Sequence, residues 1–170
     1  MARPYIMYPD ARLRAVAEPV AAVTDEVRAI WDEMLAAMYD MPGVGLAAPQ
    51  LGIGLRLAVL DCSDTRDQPV RLANPVLVSA STVMRTGIEG SPNVPGVSDK
   101  VARPAEVTVK FWGEDGAEVE RTFTNLWSAS VQHQIDHLDG RLFIDRLTAA
   151  RRQRLLTKFR KAAKKKARGN

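Results

Sequence analysis

The apolar residues between Thr24 and Asp40 recur at the spacing of one face of a helix. Thr24 is followed by Asp25 and Glu26. This order is typical of a helix start, because a hydroxyl caps free N–H groups and carboxylates favour the positive end of the helix dipole. A row of apolar residues then follows: Val27, Ile30, Trp31, Met34, Leu35 and Met38. The pattern predicts an amphipathic helix that ends near Asp40.

A different pattern follows Leu55, where short β-rich runs alternate with turn residues. The runs cover residues 55–60, 70–72, 76–82, 107–112 and 119–123, and Gly, Pro, Asn and Asp separate them. Glu114, Asp115 and Gly116 lie between the last two runs and are typical of a hairpin turn. The pattern predicts a sheet with mostly antiparallel connections.

Two further helices are predicted in the last third of the chain. One covers residues 124–138 and stops before Gly140, since glycine readily takes the left-handed conformation that ends helices. The other begins at about Thr148 and is expected to fray after Ala163, where the sequence is low in complexity. The order helix, strands, helix, helix indicates an α+β fold whose middle helix packs against the sheet.

The length and composition suit one compact domain. The chain has 170 residues, of which 46% are hydrophobic, and this is enough for a single core. No apolar run approaches the roughly 20 residues that span a bilayer, and the N-terminus lacks the order of a signal peptide. We therefore expect a cytoplasmic protein with no membrane partner. The only cysteine, Cys62, follows an apolar run and is expected to be structural.

The net charge of +4 conceals an uneven distribution. Residues 151–170 contain ten Lys or Arg and no Asp or Glu, whereas residues 1–150 carry 14 basic and 20 acidic residues. We therefore separate a domain of residues 1–150 from a basic helix or tail of residues 151–170. Such a block is typical of contact with a polyanion, but solubilising tails have the same composition, and both interpretations stand.

His133 and His137 are the only histidines in the chain. Four residues apart on a helix, they would lie on one face, close enough to share a metal ion. A bare pair at this spacing is more often a pair of buried histidines that are satisfied by hydrogen bonds. The surrounding sequence reverses this preference.

Three segments in order resemble the signatures of the peptide deformylases. They are residues 43–50 (GVGLAAPQ), 89–96 (EGSPNVPG) and 132–140 (QHQIDHLDG). The resemblance extends over about residues 2–147. It implies an α+β fold with mostly antiparallel sheets around a central helix that carries the HxxxH motif, flanked by N-terminal and C-terminal helices. It also implies the family reaction, the metal-dependent removal of the formyl group from the N-terminal formylmethionine of nascent polypeptides.

The resemblance also implies roles for individual residues. His133 and His137 would be metal ligands for Fe, Zn or Ni, Gln50 would stabilise the oxyanion, and Glu89 with Arg103 would form a supporting ion pair. The substrate would contact Gly45, Leu46, Ile88, Gly90, Leu126 and Ser130. The apolar members of this set are equally consistent with ordinary core positions.

Three catalytic positions depart from the family pattern. Gln134 replaces the glutamate, and an amide cannot carry out acid–base catalysis, which contributes about 10²–10⁴ in rate. Ser91 replaces the cysteine ligand with an alcohol, which binds metal weakly. Pro92 has no N–H to donate to the oxyanion, a loss that typically costs about 10²–10³. We therefore expect a weakly bound or absent metal and strongly reduced or no activity.

Two alternatives remain open. One is a working metal-dependent deformylase or amide hydrolase with an altered metal site. The other is a module that binds the N-terminal peptide of nascent chains or the ribosome, with no contact to DNA. Ribosomal RNA phosphates would then be bound by basic residues of the tail: Arg151, Arg152, Arg154, Lys158, Arg160 and Lys161.

Overall fold

The structure is a computed structural model that describes residues 2–169. These residues form three α-helices, α1 (Asp25–Asp40), α2 (Asn125–Leu138) and α3 (Ala149–Arg168). Short 3₁₀ helices lie at Ala11–Arg14, Ala48–Leu51 and Phe143–Arg146. The strands are β1 (Gly45–Ala47), β2 (Leu57–Leu60), β3 (Val70–Ala80), β4 (Met84–Ser91), β5 (Val94–Pro104), β6 (Glu106–Trp112) and β7 (Glu118–Thr124).

The strands form two antiparallel sheets. Five strands pair in the order β1-β2-β3-β6-β7, and β4 pairs with β5 alone. Strand β3 joins two predicted runs across Pro75, because register shifts next to Asn74 and Pro75 absorb the irregular backbone. The β4-β5 hairpin was not predicted, since its glycines and polar residues conceal the alternation that marks a strand.

The five-stranded sheet separates α1 from α2. Alternate residues of β2 face opposite sides, so that Leu57 and Val59 join the core around α1, whereas Ala58 and Leu60 join the core around α2. The N-terminal cap of α1 is formed by Thr24, which accepts a hydrogen bond from the Val27 N–H at 3.3 Å. The two histidines of α2 therefore lie on a helix fixed by packing on a sheet.

Helix α3 packs on the domain and is longer than expected. Its Leu155 and Leu156 are buried in a third core cluster with β5 and the Phe143–Arg146 turn. Arg151 forms an ion pair with Asp99 of β5. The predicted fraying after Ala163 is wrong, because alanine and lysine favour helix and the helix continues to Arg168. None of the helices within residues 2–169 has the length and apolar character needed to cross a membrane.

Candidate active site

Helix α2 carries both histidines, of which His133 lines a cleft and His137 is buried. The Nε2 atoms of His133 and His137 are 3.1 Å apart. The helix stops at Gly140, which has φ +75° and lies so close to the N-terminal segment that a Cβ there would be 2.4 Å from the Arg14 carbonyl oxygen. Glycine at this position lets the helix end against that segment, and this fixes the position of His137.

A buried network of charges orients His133. Its Nδ1 lies 2.8 Å from Glu89 Oε1, and Arg103 donates two hydrogen bonds to the same carboxylate at 2.6 and 2.9 Å. A third Arg103 nitrogen contacts Asp136 at 2.9 Å. Burial by itself would raise the pKa of Glu89, but hydrogen bonds from His133 and Arg103 outweigh this effect and lower the pKa to about 2. The ionised carboxylate holds a proton on Nδ1 of His133 and turns Nε2 towards His137.

His137 is buried and neutral. Burial lowers the pKa of His137 well below its usual value of 6.5, and the charges of nearby His133, Arg103 and Arg14 lower it further. Its Nδ1 atom has no hydrogen-bond partner. Histidines that bind metals almost always donate their second ring N–H to another group. His133 has that support, and His137 does not.

The two rings fit two positions of a tetrahedral metal ion. Zinc–nitrogen bonds of about 2.0–2.1 Å place two ligand nitrogens about 3.3 Å apart, close to the observed 3.1 Å between the Nε2 atoms. The part of the chain that the structure describes contains no cluster of three His, Cys, Asp or Glu side chains that could hold a metal. A third ligand would have to be Ser91 or a water molecule.

The Ser91 hydroxyl lies at the end of β4 and is already hydrogen-bonded. It donates to Asn93 Oδ1 at 3.0 Å and accepts from the Asn93 N–H at 3.3 Å. The Gln50 amide also lies 3.5 Å from it. A hydroxyl has one donor and two acceptor positions, so all three are used. His133 and His137 therefore fit a metal ion as ligands, whereas Ser91 does not.

Gln50 is buried at the end of the Ala48–Leu51 turn, and its amide is held at both ends. Oε1 accepts from the Ala47 N–H at 2.9 Å, and Nε2 donates to Asn93 Oδ1 at 2.6 Å. Sequence analysis assigned no role to Asn93. The signal was its place in residues 89–96, one of the three segments that resemble the deformylase signatures.

Gln134 and Pro92 both line the cleft. Gln134 is buried, and its amide oxygen has no hydrogen-bond partner. It packs so closely against Gly45 that a Cβ on this glycine would lie 2.5 Å from Gln134 Nε2. Neither residue supplies a group that takes up a proton, and Pro92 supplies no backbone N–H.

The cleft has a volume of about 330 Å³ and is open to solvent. The residues that line it include five to which the resemblance gives substrate contacts: Gly45, Ile88, Gly90, Leu126 and Ser130. The side chains of Ile88 and Leu126 are 73% and 41% exposed, so they form apolar walls of the cleft and do not belong to the core.

The expectation for Leu46 is wrong. Its side chain is fully buried in the core around α1 and is not among the residues that line the cleft. Residues next to each other on a strand face opposite sides, and Gly45 is the one that faces the cleft. Sequence reasoning gave no role to seven other lining residues, namely Met41, Pro42, Gly43, Val44, Arg85, Gly87 and Ala129.

Comparison with known proteins gives one consistent result. The family model described as polypeptide deformylase matches residues 2–153. A peptide deformylase of Hydrogenovibrio crunogenus is 42% identical over 156 residues, which are 92% of each chain. The crystal structure of a Legionella pneumophila peptide deformylase superimposes with a TM-score of 0.91, at 37% identity and 99% coverage of both chains.

The fold and the site define a class of α+β proteins that carry two histidines on a central helix. The comparisons show which family within this class the chain belongs to. The chain belongs to the polypeptide deformylase family. The expected α+β fold, with antiparallel sheets around the histidine helix, is confirmed. A second solved structure, from Acinetobacter baumannii, is a class I type b peptide deformylase bound to Met-Ala-Ser, with a TM-score of 0.81 and 30% identity over 86% of this chain and 99% of that one.

Proposed function

We propose that this deformylase-family protein binds the N-terminal peptide of nascent chains but removes the formyl group slowly or not at all. One observation carries the proposal. Among the described residues that line the cleft, the only carboxylate is Glu89. It is bound to His133 and Arg103, and its pKa of about 2 makes it a poor base. The cleft therefore holds no carboxylate suited to accept a proton near neutral pH.

The metal site supports the same proposal. Hydrolysis in this family is metal-dependent, and the ion would supply the activated water. In this chain His133 and His137 would hold the ion, but Ser91 offers a neutral hydroxyl that is engaged with Asn93. Loss of the thiolate should lower the affinity for Fe, Zn or Ni by orders of magnitude.

The shape of the cleft supports retained peptide binding. Ile88 and Leu126 present exposed apolar surface to the cleft, next to the histidines. This surface suits an unbranched apolar side chain such as methionine. The Acinetobacter baumannii relative is bound to a tripeptide that begins with methionine.

Restoring the three altered positions tests the proposal. The variant Gln134→Glu, Ser91→Cys, Pro92→Leu and the parent would be purified with added Ni²⁺ and assayed on formyl-Met-Ala-Ser. We expect a gain of at least about 10²-fold in kcat/KM, since loss of the base or of the N–H donor costs at least that much in an otherwise complete site, and a single restored group gains little while the others are missing. The matched control is Pro92→Leu alone, which should stay near the parent. A parent as active as the restored protein would overturn the proposal and favour a working hydrolase with an altered metal site.

We propose ribosomal RNA as the partner of helix α3. Of its nine residues beyond Phe159, six are basic and three are alanines, and all nine are exposed. Leu155 and Leu156 hold the helix on the domain. Because truncation of residues 151–170 would remove these leucines and uncover the core beneath them, charge removal is the cleaner test. Replacing Lys161, Lys164, Lys165 and Lys166 with Gln should weaken co-sedimentation with ribosomes and lower its salt dependence.

The matched control for the tail replaces Lys100 and Lys110, which lie on strands outside α3. This control should leave co-sedimentation unchanged. If the four tail substitutions also leave it unchanged, α3 is not the contact.

A further inference from the structure

Asn93 connects three segments and contacts two residues that line the cleft, Gln50 and Ser91. Its side chain is fully buried. The Nδ2 group donates to the carbonyl oxygens of Ile6 at 2.5 Å and Gln50 at 3.1 Å. The Asn93 carbonyl oxygen accepts a hydrogen bond from the Tyr8 N–H at 2.8 Å. One residue therefore ties the N-terminal segment to the turn that carries Gln50.

These bonds fix the direction of the Asn93 amide. Because Nδ2 must face two carbonyl oxygens, Oδ1 points the other way and accepts from Gln50 Nε2 at 2.6 Å and from Ser91 Oγ at 3.0 Å. The Gln50 amide is fixed in turn, since its Oε1 accepts from the Ala47 N–H. Neither amide can be reversed without facing like atoms against each other.

Both hydrogens of the Gln50 amide and the Ser91 hydroxyl are directed to atoms within the protein. The two hydrogens on Gln50 Nε2 are directed to Asn93 Oδ1 at 2.6 Å and towards Ser91 Oγ at 3.5 Å. The Ser91 hydroxyl donates once and accepts twice. To bind the formyl oxygen of a peptide, Gln50 would have to turn one Nε2 hydrogen away from Ser91 or Asn93, and its short bond to Asn93 holds the amide in place.

We propose that Asn93 is a positioning residue that keeps the Gln50 amide bonded within the protein, so that the cleft recognises an N-terminal methionine without reading its formyl group. This inference rests on the proposed function, in which the cleft binds peptides. Recognition then depends on the apolar side chain and the peptide backbone. Formylated peptides and peptides that lack the formyl group become ligands of the same class.

Binding measurements without metal test this inference. Parent and Asn93→Ser protein in EDTA would be titrated with formyl-Met-Ala-Ser and with the same peptide whose formylamino group is replaced by hydrogen. The shorter serine cannot reach Gln50 Nε2, which becomes free to donate to the formyl oxygen. The preference for the formylated peptide, expressed as a ratio of Kd values, should rise about 3- to 10-fold from parent to variant. A ratio that stays within about 1.5-fold would overturn the inference.

Asn74→Ser is the matched control. Asn74 also joins two segments by side-chain bonds, one to the Val20 N–H and one to the Val20 carbonyl, both at 2.9 Å, and it is not among the residues that line the cleft. This variant should lose thermal stability and leave the ratio unchanged. An equal rise of the Kd ratio in Asn74→Ser would show that a general loosening of the fold raises it, and would overturn the role given to Asn93.

A measurement on the parent covers the case in which Asn93→Ser does not fold. The side-chain amide signals of Gln50, identified by their loss in Gln50→Glu, should exchange slowly with water and keep their positions when formylated peptide is added. Rapid exchange, or a shift with the formylated peptide alone, would overturn the inference. If neither peptide binds the parent, the proposed peptide binding fails, and the exchange rate still decides the role of Asn93.

Discussion

Replacing Arg103 with Met tests whether the buried ion-pair network supports the site. Arg103 is 3% exposed and donates to Glu89 at 2.6 and 2.9 Å and to Asp136 at 2.9 Å. Methionine keeps an unbranched apolar stem but is shorter and has no charge. The variant leaves the Glu89 carboxylate buried with His133 as its remaining partner, and leaves Asp136 with Arg146.

The magnitude follows from burial. Removing one partner of a buried ion pair costs about 3–5 kcal/mol, because the other charge is left uncompensated. For a chain of this size each kcal/mol lowers Tm by about 2–4 °C, so Arg103→Met should lower Tm by about 6–20 °C. The matched control is Arg71→Met. Arg71 pairs with Asp32 and Glu114, whose side chains are 69% and 65% exposed, so the control should change stability by about 0–1 kcal/mol.

The pH dependence distinguishes a charge effect from a packing effect in metal-free protein. The pKa of Glu89 is lowered from 4.5 to about 2 in the folded state. A lowered carboxylate pKa stabilises the fold fully above about pH 4.5, and this stabilisation of about 3 kcal/mol is lost as the pH falls towards 2. Urea unfolding of parent and variant should therefore differ most at pH 6–8 and converge below pH 4.5. A Tm loss under about 3 °C, or a difference independent of pH, would refute the reasoning.

Three further predictions concern other parts of the molecule. Burial raises the pKa of the Cys62 thiol to about 11. At pH 8 its alkylation by iodoacetamide, measured by mass spectrometry, should therefore be about 100-fold slower than that of free cysteine. A rate similar to that of free cysteine would contradict this. The parent purified without chelators should contain less than about 0.1 equivalent of Fe, Zn or Ni by elemental analysis, and Ser91→Cys should raise this metal content several-fold. A parent with a full equivalent of metal would show that the cysteine ligand is not needed. Gly140→Ala should destabilise the protein by more than about 1 kcal/mol in urea unfolding, because Gly140 has a positive φ and lies against the Arg14 carbonyl. The control Gly54→Ala should be close to neutral, since the space around Gly54 is open.

Local signals predicted the parts of the fold that depend on neighbours in sequence. The helix predicted from Thr24 to Asp40 is confirmed as α1, since its cap and its apolar spacing lie within one segment. The histidine helix was predicted to within one residue at its start. The β4-β5 hairpin was missed, because its stability comes from pairing over residues 84–104 and not from a local apolar alternation.

In the site, too, the sequence predicted only what depends on neighbours along the chain. The His133 and His137 spacing is a property of one helix, so it could be predicted. Leu46 was assigned to the cleft because a motif states which residues are present but not which side of a strand each one faces. The role of Asn93 depends on Ile6, which is distant in sequence and close only after folding. Its hydrogen bonds could not be predicted from residues 89–96 alone.

The length of helix α3 determines what kind of surface its charges can match. Twenty residues at a rise of 1.5 Å form a rod about 30 Å long, and it is anchored at its first turns by Arg151 and by Leu155 and Leu156. A disordered basic tail would lose conformational entropy when it bound, and it could adapt to almost any polyanion. The rod is already ordered, so its cations keep fixed spacings. Binding of the proposed RNA partner would therefore require phosphates in a matching line, so that recognition would depend on the shape of the RNA as well as on charge.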